Sequence, residues 1–255
     1  MPAAFHLFPY LSDNYGVLVR DEVTGACACV DAGEEGAVFA ALEETGWELS
    51  DLWITHWHHD HTDGLAAVKQ RTGCKVTGPA YKGGKSFDFD RTVSHGESFM
   101  LGETLVEVLH TPGHTKDMVN YHLPEDGVVF TGDTLFAMGC GRVFEGTHEE
   151  MYRSMEILRG LPVDTVVYGG HEYTVANARF AVTVDPANAA LKARAAEVDA
   201  LRAEGKPTMP TTMALELATN PFLRYGDAEL RAHLGMVGEP DAAVFSELRS
   251  RKDAF

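Results

Sequence analysis

Apolar and polar positions follow two different patterns along the chain. In the first two thirds, short apolar runs are separated by Gly-rich turns, which is typical of strands. We predict strands at residues 16–19, 26–31, 52–55, 74–77, 105–109, 127–130 and 165–168. Segments 38–45 and 65–72 have apolar residues at helical spacing and are each followed by glycine, so we predict helices there.

The pattern changes after about residue 173. Glycine becomes rarer and helical spacing dominates, which predicts helices at 187–204, 227–234 and 241–252. We interpret 210–221 as a connector between helices. The sequence therefore predicts an α/β domain over residues 1–172 and a smaller helical domain over residues 173–255.

Several of the predicted strands end in turns that carry histidine or aspartate. His56 follows the run 52–55, and similar turns contain His114, Asp133 and His171. Loops held by a rigid sheet are where binding and catalytic residues concentrate. We therefore expect the chemistry of this protein at these strand ends.

The strongest chemical signal is a His-x-His-x-Asp-His pattern formed by His56, His58, Asp60 and His61. Four donors in six residues cannot share one helical face, because a face repeats at every third or fourth residue. Imidazole and carboxylate donors suit Zn²⁺, iron or Mn²⁺. The alternative is a His-rich polar loop that binds no metal. We favour a metal site. We expect its further ligands to be His114, Asp133 and His171.

Charge and composition exclude several classes of partner. The formal net charge is −17, which opposes binding to nucleic acid or to an anionic membrane surface. No stretch approaches the ~20 apolar residues of a membrane span, and residues 1–6 do not look like a signal peptide. The four cysteines form neither a zinc knuckle nor a dense disulfide pattern, so we expect free thiols and a cytoplasmic protein.

The histidine and aspartate pattern resembles the metallo-β-lactamase superfamily. That resemblance implies an αββα sandwich with a smaller all-helical C-terminal domain, and two divalent metal ions per chain, zinc or alternatively iron or manganese. It implies that one metal is held by His56, His58 and His114, and the other by Asp60, His61 and His171, with Asp133 as the bridge.

Further motifs resemble the glyoxalase II (hydroxyacylglutathione hydrolase) family within that superfamily. They lie at residues 13–15, 111–115, 131–136, 139–146, 170–174, 220–224 and 248–253, and the resemblance covers essentially the whole chain. It implies a cytoplasmic enzyme, expected to be a monomer, that hydrolyses a glutathione thioester. The typical substrate is S-D-lactoylglutathione, cleaved to glutathione and D-lactate in the second step of methylglyoxal detoxification.

The resemblance also implies a set of substrate-binding residues. Arg249 and Lys252 share a face of the predicted helix 241–252, which by itself is as typical of a solvated basic surface. The family likeness makes them a clamp for a carboxylate of glutathione. The remaining substrate-binding candidates are Arg142, Phe144 and Tyr173, with Phe144 standing where some members carry tyrosine.

The expected mechanism uses a hydroxide that bridges the two metals, held by ligands that include Asp60 and Asp133, as the nucleophile that attacks the thioester. We interpret Cys140 as structural, because a metal site makes a thiol nucleophile unnecessary. Alternative enzymes on the same fold are a lactonase, a β-lactamase and a persulfide dioxygenase with one iron. A non-catalytic metal store and a nucleic-acid processing enzyme are alternatives of other classes, opposed respectively by the lack of cysteine ligands and by the negative charge.

Overall fold

A computed structural model of the chain describes residues 3–80, 87 and 89–255. It divides into two compact units. The first contains Met1–His110 and Thr115–Gly132, and the second contains Thr111–His114 and Asp133–Phe255. Each unit has its own hydrophobic core.

The first unit contains a six-stranded mixed sheet. In order across the sheet, its strands are β1 (Ala4–Tyr10), β2 (Asn14–Arg20), β3 (Cys27–Val30), β4 (Asp51–Trp53), β5 (Lys75–Pro79) and β6 (Arg91–Val93). The pairs β1–β2 and β2–β3 are antiparallel, whereas β3 to β6 run parallel. Parallel neighbours need crossover connections, and α1 (Glu35–Thr45) connects β3 to β4, whereas α2 (His59–Thr62) and α3 (Leu65–Thr72) connect β4 to β5.

Four antiparallel strands of the first unit face this sheet. They are β7 (Ser98–Leu101), β8 (Thr104–His110), β9 (Val119–Leu123) and β10 (Val128–Gly132). Aromatic rings fill the space between the layers, because the ring of Trp53 lies 5.4 Å from Tyr121, 5.5 Å from Phe99 and 6.5 Å from Phe130, measured between centroids. The buried hydroxyl of Tyr121 donates to the carbonyl of Ile54, which ties the two layers together.

Helices α1 and α3 cover the other face of the mixed sheet. Their buried residues Val38, Ala41, Leu65 and Val68 belong to one apolar cluster with side chains of the strands beneath them. The first unit is therefore layered as helices, sheet and sheet. This layering holds the end of β4, and the donor segment that follows it, on a rigid support.

The second unit is mostly helical. Its strands are β11 (Leu135–Phe136), β12 (Gly139–Cys140), β13 (Val166–Gly169) and β14 (Thr211–Thr212). Its helices are α4 (His148–Arg159), α5 (Thr174–Val184), α6 (Ala189–Ala203), α7 (Met213–Thr219), α8 (Ala228–Leu234) and α9 (Asp241–Ala254). β11 pairs with β12 in a hairpin, and β13 pairs with β14. Phe222 packs on Phe180 and Phe245 in the apolar core of this unit.

The predicted elements are found, with one correction. The helix predicted at 65–72 has those bounds, and the predicted strands match observed strands within a few residues. The interpretation of 210–221 as a connector is wrong, because this segment contains strand β14 and helix α7. Helix α7 was not predicted because the fully buried residues on its inward face include the acidic Glu216, which interrupts the apolar spacing typical of a helix. Within the described part of the chain, no helix is long and apolar enough to cross a membrane.

Candidate metal centre

Four of the predicted donors follow strand β4 and continue into the short helix α2. His56 and His61 are buried, whereas His58 and Asp60 are partly exposed. Nε2 of His56 lies 3.0 Å from Nδ1 of His58, and Nε2 of His61 lies 3.3 Å from Oδ2 of Asp60. The segment therefore presents two pairs of closely spaced donor atoms.

A buried carboxylate, Asp31, orients this segment. Its Oδ1 accepts from the backbone N–H of Thr55 at 2.8 Å, and its Oδ2 accepts from the Thr55 hydroxyl and from Nδ1 of His61, each at 2.8 Å. Because Nδ1 of His61 is bound to a carboxylate, Nε2 is the nitrogen that can ligate a metal. Asp31 has φ of 60°, a strained conformation of the kind found at functional sites.

The other predicted donors meet at a second aspartate. Asp133 comes directly after β10, His114 follows β8 by a short turn, and His171 follows β13. Oδ2 of Asp133 lies 3.2 Å from Nε2 of His114 and 3.3 Å from Nε2 of His171. Nδ1 of His114 lies 2.8 Å from the carbonyl oxygen of Arg142 and donates to it, so Nε2 is again the nitrogen available to a metal.

Two glycines allow the backbone to approach these donors closely. A Cβ added to Gly141 would overlap the carbonyl oxygen of Asp133 and lie 3.3 Å from Nδ1 of His114. A Cβ added to Gly33 would overlap the carbonyl oxygen of Asp60. Any larger residue at either position must displace a segment that carries a donor.

The structure places donors of this set in three groups whose ligand atoms lie within 4.8 Å of one another. The groups are His56, His58 and His114; His56, His61 and Asp133; and Asp60, His61 and His171. All seven predicted donors take part. Five imidazoles and two carboxylates, several with a second hydrogen bond that fixes the ring, form a donor set that fits Zn²⁺, iron or Mn²⁺.

Two aromatic side chains predicted to contact substrate lie against donor rings. The Phe144 ring lies 5.2 Å from that of His114, and the Tyr173 ring stacks on His171 at 4.5 Å, both measured between centroids. Phe144 is 61% exposed and Tyr173 is 38% exposed. Both rings are therefore accessible to a bound molecule as well as close to the donors.

Arg249 is enclosed rather than presented on a surface. It is 3% exposed, and its Nη1 donates to the carbonyl oxygens of Cys140 and Gly141 at 3.0 and 3.4 Å. Its Nη2 donates to Asp253, whose Oδ1 also lies 3.3 Å from Nε of the exposed Arg142. Two guanidinium groups thus share one carboxylate at this end of α9.

Lys252 lies one turn further along α9 and is more accessible than Arg249. Its Nζ donates to the carbonyl oxygen of Ala176 and lies 5.2 Å and 5.3 Å from the ring centroids of Phe180 and Phe255. Burial lowers the pKa of the Lys252 ammonium to about 8, and the positive charge of Arg249 adds to that shift.

Cys140 has the surroundings of a structural thiol. It is buried, and burial raises its pKa even though Arg249 is close. Its Sγ lies 3.5 Å from Nη1 of Arg249. A thiol with a raised pKa stays protonated at neutral pH and is a poor nucleophile. All four cysteines of the chain are buried and free.

Two supporting residues were not identified from the sequence as part of the site. Asp31 is one, and its signal was an aspartate at a strand end followed by a glycine two positions later. Asn14 is the other: its Nδ2 donates to Oδ2 of Asp60 at 2.9 Å. Asn14 lies in the motif at residues 13–15, and nothing local in the sequence links it with Asp60, because the contact spans 46 residues.

Two protein families match consecutive parts of the chain, which meet between residues 171 and 172. The family described as Metallo-beta-lactamase superfamily matches residues 14–171. The family described as Hydroxyacylglutathione hydrolase C-terminus matches residues 172–255. The predicted fold class, a metallo-β-lactamase fold followed by a helical C-terminal part, is confirmed by these matches.

Similar proteins cover nearly the full length of the chain. A protein named hydroxyacylglutathione hydrolase from Rhizobium meliloti is 53% identical over 98% of this chain and 97% of its own length. One of the same name from Brucella anthropi is 52% identical over 96% of this chain and 94% of its own.

Solved structures with the same fold are more distant in sequence. The crystal structure of ETHE1 from Myxococcus xanthus has a TM-score of 0.67 and 26% identity, covering 98% of this chain and 99% of that one. The crystal structure of TTHA1623 in a di-iron-bound form has a TM-score of 0.61 and 22% identity, covering 86% of this chain and 98% of that one. The second of these supports the fold alone.

Proposed function

Since this chain belongs to the hydroxyacylglutathione hydrolase family of the metallo-β-lactamase superfamily, we propose that it hydrolyses S-(2-hydroxyacyl)glutathione thioesters. The typical substrate is S-D-lactoylglutathione, and the products are glutathione and D-lactate, in the second step of methylglyoxal detoxification. The observation that carries the proposal is the grouping of His and Asp donors beside the exposed aromatic rings of Phe144 and Tyr173.

The donor groups support a centre of two divalent ions, for which we propose zinc, with iron or manganese as alternatives. We propose that Asp133 bridges the two ions and that Asp60 ligates one of them. When bound there, the ions supply Lewis acidity and lower the pKa of coordinated water from 15.7 toward about 7. The chain's own part is to orient the imidazoles and fix which nitrogen is available to a metal, which Asp31 does for His61 and the Arg142 carbonyl does for His114.

The leaving group of this reaction is a thiolate, which does not need a proton from the protein in order to depart. A thiol has a pKa of about 8.5, so a thiolate departs without a dedicated general acid. This agrees with a site whose nearest side chains are metal donors and aromatic rings. The residues around it serve to bind and orient the thioester rather than to transfer protons.

We propose that glutathione is bound by residues on the helical side of the donors. Lys252, Arg249 and Arg142 put three cations in one region of a chain whose net charge is −17, and glutathione carries two carboxylates. Lys252 is the most direct candidate for a carboxylate, since Arg249 already donates to backbone carbonyls. Phe144 and Tyr173 provide apolar surface next to the reacting group.

The roles of the two parts of the chain, its location and its oligomeric state are proposed as follows. We propose that residues 173–255 form the glutathione-binding part of the chain and residues 1–172 the catalytic part. Four free, buried cysteines are consistent with a reducing compartment, so we propose a cytoplasmic location. We also propose that the enzyme acts as a monomer.

The test compares two thioesters with the same acyl group. The metal-loaded protein is assayed with S-D-lactoylglutathione and with the D-lactoyl thioester of N-acetylcysteamine, which lacks both carboxylates of glutathione. We expect kcat/KM to be higher for the glutathione thioester by at least about 100-fold, as for a loss of two charge-assisted contacts. Equal values would overturn the substrate assignment. Metal analysis of the same sample separates a two-metal hydrolase from a one-iron oxygenase.

A further inference from the structure

The hairpin β11–β12 connects Asp133 to the segment that contacts His114. The backbone groups of its turn, residues 136–139, form hydrogen bonds with side chains from the helical part of the second unit. Nδ2 of Asn220 lies 3.2 Å from the carbonyl oxygen of Phe136 and 2.9 Å from that of Gly139. Oε2 of Glu216 accepts from the N–H of Met138 at 2.9 Å.

One further helix contributes to the same turn. Nδ2 of Asn177, in α5, donates to the carbonyl oxygen of Ala137 at 3.1 Å. The turn includes Met138 at φ of 55°, a left-handed conformation that a non-glycine residue adopts only at a cost. A strained turn persists when its surroundings determine it, and here three side chains bind four consecutive backbone groups.

These side chains are themselves fixed by a buried ion pair. Glu216 is fully buried, and its Oε1 accepts from Arg194 at 2.5 Å and from Thr211 at 2.8 Å. Its Oε2 accepts from Nδ2 of Asn220 at 2.9 Å in addition to the N–H of Met138. Both carboxylate oxygens are therefore committed, which gives the network one arrangement rather than several.

Each end of the hairpin touches a predicted metal donor. At the β11 end, the ring of Phe136 packs edge-on against His171 at 5.8 Å between centroids. At the β12 end, the chain continues into Gly141 and then Arg142, whose carbonyl oxygen accepts from Nδ1 of His114. A shift of the turn would therefore move the partners of two imidazoles.

We propose that Asn220 and Glu216 are positioning residues of the metal centre, acting through the β11–β12 hairpin on the ring orientations of His114 and His171. They touch neither metal donor. This inference rests on the metal part of the proposed function and is independent of which thioester is the substrate.

The test uses two asparagine variants, each at the end of a helix in the second unit. Asn220→Ala removes the contacts to the turn. Asn188→Ala is the matched control, because the Asn188 side chain makes three hydrogen bonds, with Asp185, the Ala218 carbonyl and the Leu191 N–H, against four for Asn220, but none to the hairpin. For each variant we measure zinc affinity by competition with a chromophoric chelator, thermal unfolding of the metal-free protein, and kcat and KM.

We expect Asn220→Ala to weaken zinc affinity about 10- to 100-fold, as loss of support behind a metal ligand does, and to lower kcat more than it raises KM. Asn188→Ala should lose a comparable amount of thermal stability while its zinc affinity stays within about two-fold of the parent. Parent-like zinc affinity in folded Asn220→Ala would overturn the proposal.

A milder variant keeps the test decisive if Asn220→Ala does not fold. Asn177→Ala removes one hydrogen bond to the turn, so a smaller loss of zinc affinity in the same direction is expected, and none would overturn the proposal. A parent protein that binds zinc but cleaves no glutathione thioester would contradict the proposed function and leave this inference standing.

Discussion

At the scale of single residues, Gly141 is a position where the backbone packs directly against a residue that carries a metal donor. The carbonyl oxygen of Asp133 occupies the space that a Cβ would need. We expect Gly141→Ala to displace either this segment or Asp133, and to reduce zinc affinity by at least about ten-fold, in the range of changes to residues behind metal ligands.

The same chelator competition checks this expectation. Gly226→Ala is the control, because nothing lies within 4 Å of a Cβ added at Gly226. If Gly141→Ala bound zinc as tightly as Gly226→Ala, the close approach of this segment to Asp133 would have no bearing on the site.

Lys252 should give the enzyme a pH dependence. Burial and the charge of Arg249 lower its pKa to about 8, so the ammonium is charged below that pH and neutral above it. If Lys252 binds a carboxylate of glutathione, KM should rise about ten-fold between pH 7 and pH 9, as the charged fraction falls.

The control for this profile is Lys252→Arg, because a guanidinium stays charged throughout this range. Its KM should be nearly constant between pH 7 and pH 9, after correction for spontaneous thioester hydrolysis. An identical rise of KM in the parent and in Lys252→Arg would show that another group is responsible.

At the scale of elements, the sequence predicted what depends on local pattern. The C-terminal end of the helix at 65–72 was predicted because Gly73 ends it in the left-handed conformation that glycine favours. The strand ends that carry His56, Asp133 and His171 were found because each apolar run stops where the polar donor begins.

Contacts between distant parts of the sequence could not be predicted. Thr55 and His61, which donate hydrogen bonds to Asp31, lie 24 and 30 residues away from it in the sequence, and no local pattern links them. Helix α7 was missed because its buried Glu216 breaks the apolar pattern, and the partner that makes this burial possible, Arg194, is 22 residues away. Arg249 was predicted as a clamp without any sign that it is enclosed, because the carbonyls to which it donates lie 109 and 108 residues away in the sequence.

At the scale of the whole molecule, stability in acid should depend on Asp21. Burial by itself raises the pKa of this carboxyl, but hydrogen bonds from Thr24 and Thr104 outweigh it and bring the pKa to about 2. A folded-state pKa below the unfolded value of 3.8 means that the stabilisation is present above about pH 4 and is lost as the pH falls toward 2.

This is measured as the difference in free energy of unfolding between the parent and Asp21→Asn. The parent should be the more stable at pH 7, and the difference should shrink between about pH 4 and pH 2, since protonation then removes the parent's advantage. A difference that does not change over this interval would show that the carboxylate charge contributes nothing.

The support of the β11–β12 hairpin has a consequence for how this chain could be divided or recombined. A fragment ending at residue 172 would contain every predicted metal donor, yet the turn at 136–139 would lose Asn177, Glu216 and Asn220 together. Chimaeras that exchange C-terminal segments between relatives should therefore carry the matching hairpin with them. Otherwise the exchanged segment would not supply the side chains that hold the turn at residues 136–139.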